Sequence, residues 1–446
     1  MSVDHVVLVH GYSVRTLDAY AQFPALLAAE GYANAAIVLS AFNSLDDAIT
    51  CDDLAVALEN HVSQLETRSS DPVDISASAF VCHSTGAIVT RRWILNRLAA
   101  GKSIPSHLIT MAGANHGSTL AQLGETIAAH VFRKINGNTS VGSGVLTDLD
   151  YGSTFLLRLN REWLVQANAG SLAPLYVFSM GGDSVGDWLK EIIWQTKEPG
   201  SDSTVRISGA NLNYRILDAD AGTGSLVPLV PRQEVPHLVL HGYSHTGALG
   251  IIDAVTKSTD PPFAALLQAL LVESPAEYSG VLEDWRSRTQ AWTTSYADQC
   301  DSTLVFSLRD RAERPINDSL IVLGDSSGDA GAMSASFVNR PIQNEAVHSS
   351  VSFYLNQPHF AAAGSHTVHI EARSGSDEID YRNVDYVSSP DICALVMPVQ
   401  TTYVNVTIDR NTDKTYALYT YGPDLDTRSA WPPFPPTDQI PFLPSG

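Results

Sequence analysis

Ser84 lies in the segment Val81-Cys82-His83-Ser84-Thr85-Gly86, between an apolar run and a stretch with helical spacing. A serine hydroxyl serves as a nucleophile when a sharp strand-to-helix turn lifts its Oγ clear of a sheet. The same turn sets the N-terminus of the following helix beneath the reacting carbonyl. Small residues two before and two after the serine relieve the crowding of such a turn. Gly86 satisfies the second position, and Cys82 stands at the first, where glycine is usual. The pentapeptide alone arises often by chance, and its plain alternative is a serine that only caps the next helix. The strand before it and the helix after it make it informative.

A serine nucleophile needs an oxyanion site, a base and an acid. His10-Gly11-Tyr12-Ser13 ends the first apolar run, and its glycine lets the backbone turn toward the nucleophile. The backbone N–H groups of Tyr12 and Thr85 are the expected oxyanion donors. His10 itself reads as a packed, hydrogen-bonded core histidine. The acid and base should follow in the order Ser, Asp, His, each just after a strand. Asp183, in Ser179-Met180-Gly181-Gly182-Asp183, and Asp202, in Gly200-Ser201-Asp202-Ser203-Thr204-Val205, both lie on loops that fit the acid. Either could instead close an Asx turn or cap a helix. His245, in His241-Gly242-Tyr243-Ser244-His245, is the expected base. The alternatives His237 and His241 sit within or at the edge of the preceding strand, where a structural role is more natural. Neutral His245 would take the Ser84 proton and return it to the leaving group. This chemistry implies no cofactor, and no Cys/His spacing resembles a zinc site.

Such groups must stand at strand ends on one edge of a sheet, and residues 1–297 supply the pattern. Residues 6–9 form a short buried-strand run, 17–30 have helical spacing, and 35–39 read as the next strand. Over 46–68, Ile49, Leu54, Leu58, Val62 and Leu65 fall on one helical face. Residues 79–82 predict a strand running into the Ser84 turn, 87–98 a helix, and 107–111 a strand ending at Ala112-Gly113. This alternation means βαβ units and a parallel sheet. From 118 to 173 the strand rhythm stops, as expected of a cap or lid inserted above the strand ends. Strands resume at 175–178 and 238–240, and helical sequence over 261–297 closes the unit.

Beyond Cys300 the grammar changes. Residues 304–308, 319–323, 351–355, 366–371 and 402–408 are short β-rich runs separated by Gly, Pro, Asn or Asp clusters. They predict a sandwich or small barrel over 298–425. Its aromatics Phe353, Tyr354 and Phe360 read as core. Residues 426–446 form a tail rich in proline and aromatics, expected to lie on the protein's own surface.

With 27 basic against 48 acidic residues the net charge is −21, which argues against nucleic acid or an anionic membrane surface as partner. Four cysteines do not make a disulfide framework, although Cys300 and Cys393 could pair. No apolar run is long enough to span a membrane, and Asp4 and His5 interrupt any signal-peptide pattern. A cytoplasmic location is the expectation by default, or a secreted one if a leader has been removed. The oligomeric state is not readable.

His10-Gly11-Tyr12, Cys82-His83-Ser84-Thr85-Gly86 and the segment Met111-Ala112-Gly113-Ala114-Asn115-His116-Gly117-Ser118 resemble the lipase-like branch of the α/β-hydrolase superfamily. That branch includes bacterial lipases and lecithin–cholesterol acyltransferase-like enzymes. Asp148-Leu149-Asp150, Gly152-Ser153 and Leu159-Asn160 are similar to its cap region, and residues 200–205 to the Gly-x-Asp-Gly-x-Val stretch that carries its acid. The resemblance covers about residues 5 to 250. It implies an α/β-hydrolase fold with a mostly parallel sheet and a helical cap insertion, to which the all-β, sandwich-like C-terminal part is added. It also implies ester chemistry with Ser84, Asp202 and His245 as the triad, and so favours Asp202 over Asp183. Cys82 and Ser203 depart from the family's glycines and leave the local turn geometry open. The leading expectation is a carboxylic-ester hydrolase, an esterase or lipase acting on a small-molecule or lipid ester through a Ser84 acyl-enzyme. Acyl transfer to an alcohol, or cleavage of a lipid-linked amide or ester, would use the same triad. The alternative of another class is a non-catalytic hydrolase-fold protein whose β-domain binds. Phe155, Leu156, Leu157, Leu159, Trp163 and Leu164 fit either the wall of an acyl pocket or plain packing of a cap helix.

Overall fold

His5–Val9 (β1) is apolar at successive positions and buried along nearly its whole length, as a strand covered on both faces must be. A computed structural model describes residues 3–11, 14, 16–37, 46–68, 72–118, 121, 142–185, 200–325, 338–343, 349–363, 366–373, 380–381, 384–387, 392 and 395–411. The next strands are β2 Ala33–Ile37, β3 Ser78–His83, β4 His107–Met111 and β5 Tyr176–Gly182, followed by β6 Tyr214–Asp220, β7 Ser225–Leu229 and β8 His237–Leu240. Six of these form a parallel sheet in the order β2-β1-β3-β4-β5-β8. The chain runs outward from β1 to β2 and returns to β3, so the order switches between β1 and β3. Ligand crevices in open parallel sheets form at the carboxyl ends of strands flanking such a switch.

Helices cover both faces. They are α1 Phe23–Ala29, α2 Cys51–Glu66, α3 Gly86–Ala99, α4 Ser143–Leu149, α5 Thr154–Ala169, α6 Pro261–Leu270 and α7 Pro275–Ser295. Val7, Val9 and Phe80 point to one side, with Leu58 of α2, Trp93 of α3 and Leu159 of α5. Val6, Leu8 and Val81 point to the other, with Phe23 of α1, Phe263 of α6 and Trp285 of α7. The period of two along each strand therefore separates two apolar layers. The helical run expected over 17–30 is broken: a 3-10 turn at Leu17–Tyr20 ends at Ala21, whose φ of 47° leaves the helical region, and α1 starts again with Pro24 in its first turn. The run expected over 261–297 is likewise split, because Ser274, Glu277 and Pro275 build a capping box that starts α7 afresh.

The C-terminal strands are β9 Asp301–Asp310, β10 Asp318–Asp325, β11 Val338–Gln343, β12 Ser350–Asn356, β13 His366–Arg373, β14 Asp380–Tyr381, β15 Val384–Val387, β16 Thr401–Ile408 and β17 Arg410–Asn411. A six-stranded sheet in the order β11-β12-β9-β16-β6-β7 faces a three-stranded one, β10-β13-β15, across a core that includes Phe306, Ile321, Phe353, Ile370 and Val404. The fold is thus an α/β-hydrolase-like parallel sheet plus a sandwich-like β part. One feature was not foreseen from sequence. The β6–β7 hairpin leaves the chain between Asp202 and His245 and completes the C-terminal sheet, with β16 pairing parallel to both β6 and β9. The expected cap, 118–173, is described mainly from 142 onward, as α4 and α5, and the tail 426–446 lies outside the described residues.

Candidate active site

Ser84 follows β3 directly and adopts a φ of 56°, the left-handed turn that aims a side chain outward between strand and helix. The turn is crowded. A Cβ at Gly11 would stand 2.8 Å from the Thr85 nitrogen, and one at Gly86 would stand 2.6 Å from the Val9 carbonyl oxygen. Both glycines let β1 and α3 close around the serine. Cys82 needs no such room: its side chain points into the layer beneath α3, with Sγ 3.2 Å from Thr90 Oγ1. Burial pushes that thiol up to about 12, which keeps it a protonated packing group.

His245 Nε2 lies 2.9 Å from Ser84 Oγ, and its Nδ1 lies 2.8 Å from Asp202 Oδ2. The loop that carries His245 is pinned by its own N–H, which donates to the Asp202 carbonyl at 3.0 Å. Asp202 is buried and fixed in turn: its Oδ1 accepts the N–H groups of Thr204 at 3.0 Å and Val205 at 2.7 Å. With Oδ2 committed to the imidazole, the carboxylate's hydrogen-bonding directions are set before any substrate arrives. Ser203 carries a φ of 82°, a conformation that suits glycine, and this is the physical content of the family's glycine at that place.

His83 also stands at the site. It is buried, and its ring stands 4.7 Å from that of His245 and 4.6 Å from that of His10. His83 Nε2 donates to the His245 carbonyl at 3.2 Å, and His10 Nδ1 accepts the Gly11 N–H at 2.7 Å. Burial holds His83 well below the usual histidine range and His10 at about 3, so both are neutral. Neutral neighbours add no positive charge to oppose an imidazolium on His245. The sequence signal of His83 is slight, its place directly before Ser84, whereas His10 is the packed, hydrogen-bonded histidine expected there.

Asp183, the other candidate acid, stands elsewhere. Its Oδ2 accepts from His241 Nδ1 and Trp292 Nε1, each at 2.7 Å, and its Oδ1 accepts the Gly242 N–H at 2.7 Å. His237 is buried in β8 with Nδ1 2.9 Å from Ser179 Oγ. Thr85 is the buried N-cap of α3, a position whose N–H has no intrahelical acceptor. Tyr12 lies outside the described residues. Among the described residues, no group of three or more His, Cys, Asp or Glu side chains is placed to hold a metal ion, and no helix is long and apolar enough to cross a membrane.

Comparison with solved structures places the fold. Phospholipase PlaB from Legionella pneumophila is 25% identical and superposes with a TM-score of 0.79, over 96% of this chain and 98% of that one. The chain has an α/β-hydrolase fold of the lipase and esterase type. A second PlaB structure, in complex with thio-NAD, matches with the same identity and TM-score over 95% and 98% of the two chains. A mature lipase from Bacillus licheniformis is 16% identical, with a TM-score of 0.42 over 61% and 93%. No protein-family model and no curated protein matches the sequence.

In this fold the β part is tied to the parallel sheet by a buried polar network. His116, just past β4, accepts the Tyr403 hydroxyl at Nδ1 (3.0 Å) and donates from Nε2 to the Asn211 carbonyl (2.8 Å). Asn160 of α5 donates to the same Tyr403 oxygen at 3.0 Å and accepts from Arg91 of α3 at 2.9 Å. Burial lowers the His116 pKa to about 3, with Arg91 adding to the effect. Phe155, Leu156, Leu159 and Trp163 pack into the core beside α3, and Leu164 packs against Tyr214 and Tyr403. These side chains follow the packing alternative, not the acyl-pocket one.

Proposed function

We propose that this chain is a serine carboxylic-ester hydrolase of lipid esters, with Ser84 as nucleophile, His245 as base and Asp202 as the acid that orients it. The continuous hydrogen-bonded path from Ser84 Oγ through His245 to Asp202 carries the reading. The similarity to a phospholipase over nearly the full length of both chains supports a lipid ester as substrate. The steps follow from the geometry. His245 Nε2 takes the Ser84 proton as Oγ bonds to the ester carbonyl carbon, and the imidazolium is held by Asp202. The tetrahedral oxyanion meets the N–H of Thr85 and, in this reading, that of Tyr12. The C–O bond to the alcohol breaks as His245 delivers its proton to the leaving oxygen. Water then repeats the sequence on the acyl-enzyme and frees the acid.

The test is fluorophosphonate labelling beside fatty-acid release from phospholipid vesicles. Wild type should label and release fatty acid, and Ser84→Ala and His245→Ala should do neither. A folded wild type that does not label would leave the protein a non-catalytic binder. Labelling without release from any phospholipid, but with turnover of short nitrophenyl esters, would move the substrate from lipids to small esters.

A further inference from the structure

The face of the mixed sheet that meets α5 changes character along its strands. At one end Tyr214, Ile216, Val305 and Tyr403 form an apolar cluster with Leu164. Further along the same strands, with the period of two, the face turns polar. The register sets Asn405 between Asp218 and Ser307, and Thr407 beside Arg309. Against this polar end α5 presents Thr154, Arg158 and Arg161, and a cleft of about 470 Å³ lies between helix and sheet. It shares no residue with the Ser84 site.

One wall of the cleft is already satisfied. Asp218 takes the Arg161 guanidinium at 2.8 Å and the Asn405 amide at 3.0 Å, and Arg158 turns to Asp52. Among the described residues Arg309 has no such clamp. Its nearest described carboxylate oxygen belongs to Glu313 at 3.6 Å, too far for a hydrogen bond. Glu313 sits on a turn at a φ of 60° with its side chain 76% exposed, so it is a loosely held counter-ion. The Ser307 side chain is nearly buried, yet its hydroxyl, like that of Thr407, faces the cleft without a hydrogen-bond partner among the described residues. Helix–sheet interfaces normally close with apolar side chains. A hollow with unpaired hydroxyls and a weakly held guanidinium suits a ligand that carries both an anion and hydroxyl groups.

We propose that this cleft binds a small phosphorylated polyol, with the phosphate on Arg309 and the polyol hydroxyls on Ser307, Asn405 and Thr407. Glu313 stands where the phosphate goes and is displaced by it. The guanidinium fork matches two phosphate oxygens at once, which gives the contact direction as well as charge. On a chain of net charge −21 a specific contact of this kind must overcome long-range repulsion of anions.

The test is titration calorimetry of the full chain with inorganic phosphate, glycerol 3-phosphate and glycerol. Glycerol 3-phosphate should bind more tightly than phosphate, and glycerol should not bind. Arg309→Gln should weaken both anions by about tenfold or more, since one charge-assisted bond is worth that much. Glu313→Gln should strengthen both. Ser307→Ala combined with Thr407→Val should weaken glycerol 3-phosphate and leave phosphate unchanged. Ser84→Ala should bind as wild type does, which separates this site from the ester-hydrolase reading. Flotation with phosphatidylglycerol and with phosphatidylcholine vesicles distinguishes the source. Arg309-dependent binding to the former alone assigns a lipid headgroup, and binding to soluble ester alone assigns a free metabolite. No binding of either anion, or unchanged affinity in a folded Arg309→Gln protein, overturns the proposal.

Discussion

Asp183 and His241 form a second carboxylate–imidazole pair beside the one that faces Ser84, with Oδ2 and Nδ1 2.7 Å apart against 2.8 Å for Asp202 and His245. The two pairs differ at the far nitrogen. His245 Nε2 meets Ser84 Oγ, whereas His241 Nε2 meets the Tyr296 hydroxyl, with the two rings stacked at an interplanar angle of 25°. A stacked phenol offers its hydroxyl out of the imidazole plane, away from the in-plane lone pair, so the second pair is poorly aligned to move a proton. Asp183 also takes the Gly242 N–H and the Trp292 indole, and so braces the loop leading to His245 against α7.

The two aspartates should therefore fail differently when made neutral. Asp202→Asn removes the anion that fixes the His245 tautomer, and kcat should fall by roughly a thousandfold to ten-thousandfold with little change in folding. Asp183→Asn should keep fluorophosphonate labelling and lower thermal stability by about 1–3 kcal/mol, through weakened bonds at a buried hub. Labelling rates and melting temperatures of the two variants side by side decide it. Loss of labelling in Asp183→Asn alone would reverse the acid assignment.

Ser203 offers a gain instead of a loss. Its φ of 82° costs a side chain of L configuration about 1–2 kcal/mol, partly offset by the bond from its hydroxyl to the Asp202 carbonyl. Ser203→Gly should raise stability by about 0.5–1 kcal/mol in denaturant titration and leave turnover unchanged. A loss of stability would mean that the hydroxyl bond outweighs the strain.

Acid should unfold this protein early through its buried histidines. His10, His116 and His237 are held at about 3 and His107 at about 4, in each case mainly by burial. In the unfolded chain they titrate near 6.5, so between that value and the folded one the unfolded state binds more protons. Their contribution to stability is fully present above about pH 6.5 and is lost as pH falls toward about 3, at up to about 1.4 kcal/mol per pH unit for each. Urea midpoints measured from about pH 7.5 down to about pH 4.5 should fall, and His237→Gln should flatten the slope. An equally steep slope in that variant would remove His237 from the account.

Much of the parallel sheet was legible because its signals are local. The apolar run before His10 and the turn after Cys82 each declare themselves within a few residues, and the order Ser, Asp, His narrows the acid to Asp183 or Asp202, between which only the family resemblance chooses. What escaped was long-range. Tyr214–Asp220 reads as a strand only if its partner is known, and that partner, Thr401–Ile408, lies far along the chain. The role of Asp183 was undecidable for a related reason, since only the folded loop brings Gly242 and Trp292 to its carboxylate. His83 was overlooked because burial, which makes it neutral, is not a property of its neighbours in sequence.

The same long-range pairing yields the most discriminating stability experiment, Tyr403→Phe. The Tyr403 hydroxyl bonds both His116, just past β4 of the parallel sheet, and Asn160 of α5, while its ring stands in a central strand of the second sheet. Removing it strands His116 Nδ1 without its donor and leaves Asn160 Nδ2 only the Asn115 carbonyl as acceptor, at a cost of about 1–3 kcal/mol for the buried imidazole nitrogen left unpaired. Because β6 leaves the chain between Asp202 and His245, loosening β16 also loosens both of their loops. Tyr403→Phe should therefore lower the melting temperature of one shared transition, seen alike by near-ultraviolet dichroism of the whole chain and by loss of Ser84 labelling. Two separated transitions, with labelling surviving the first, would show that the β part melts independently and that the hairpin does not couple it to the catalytic sheet.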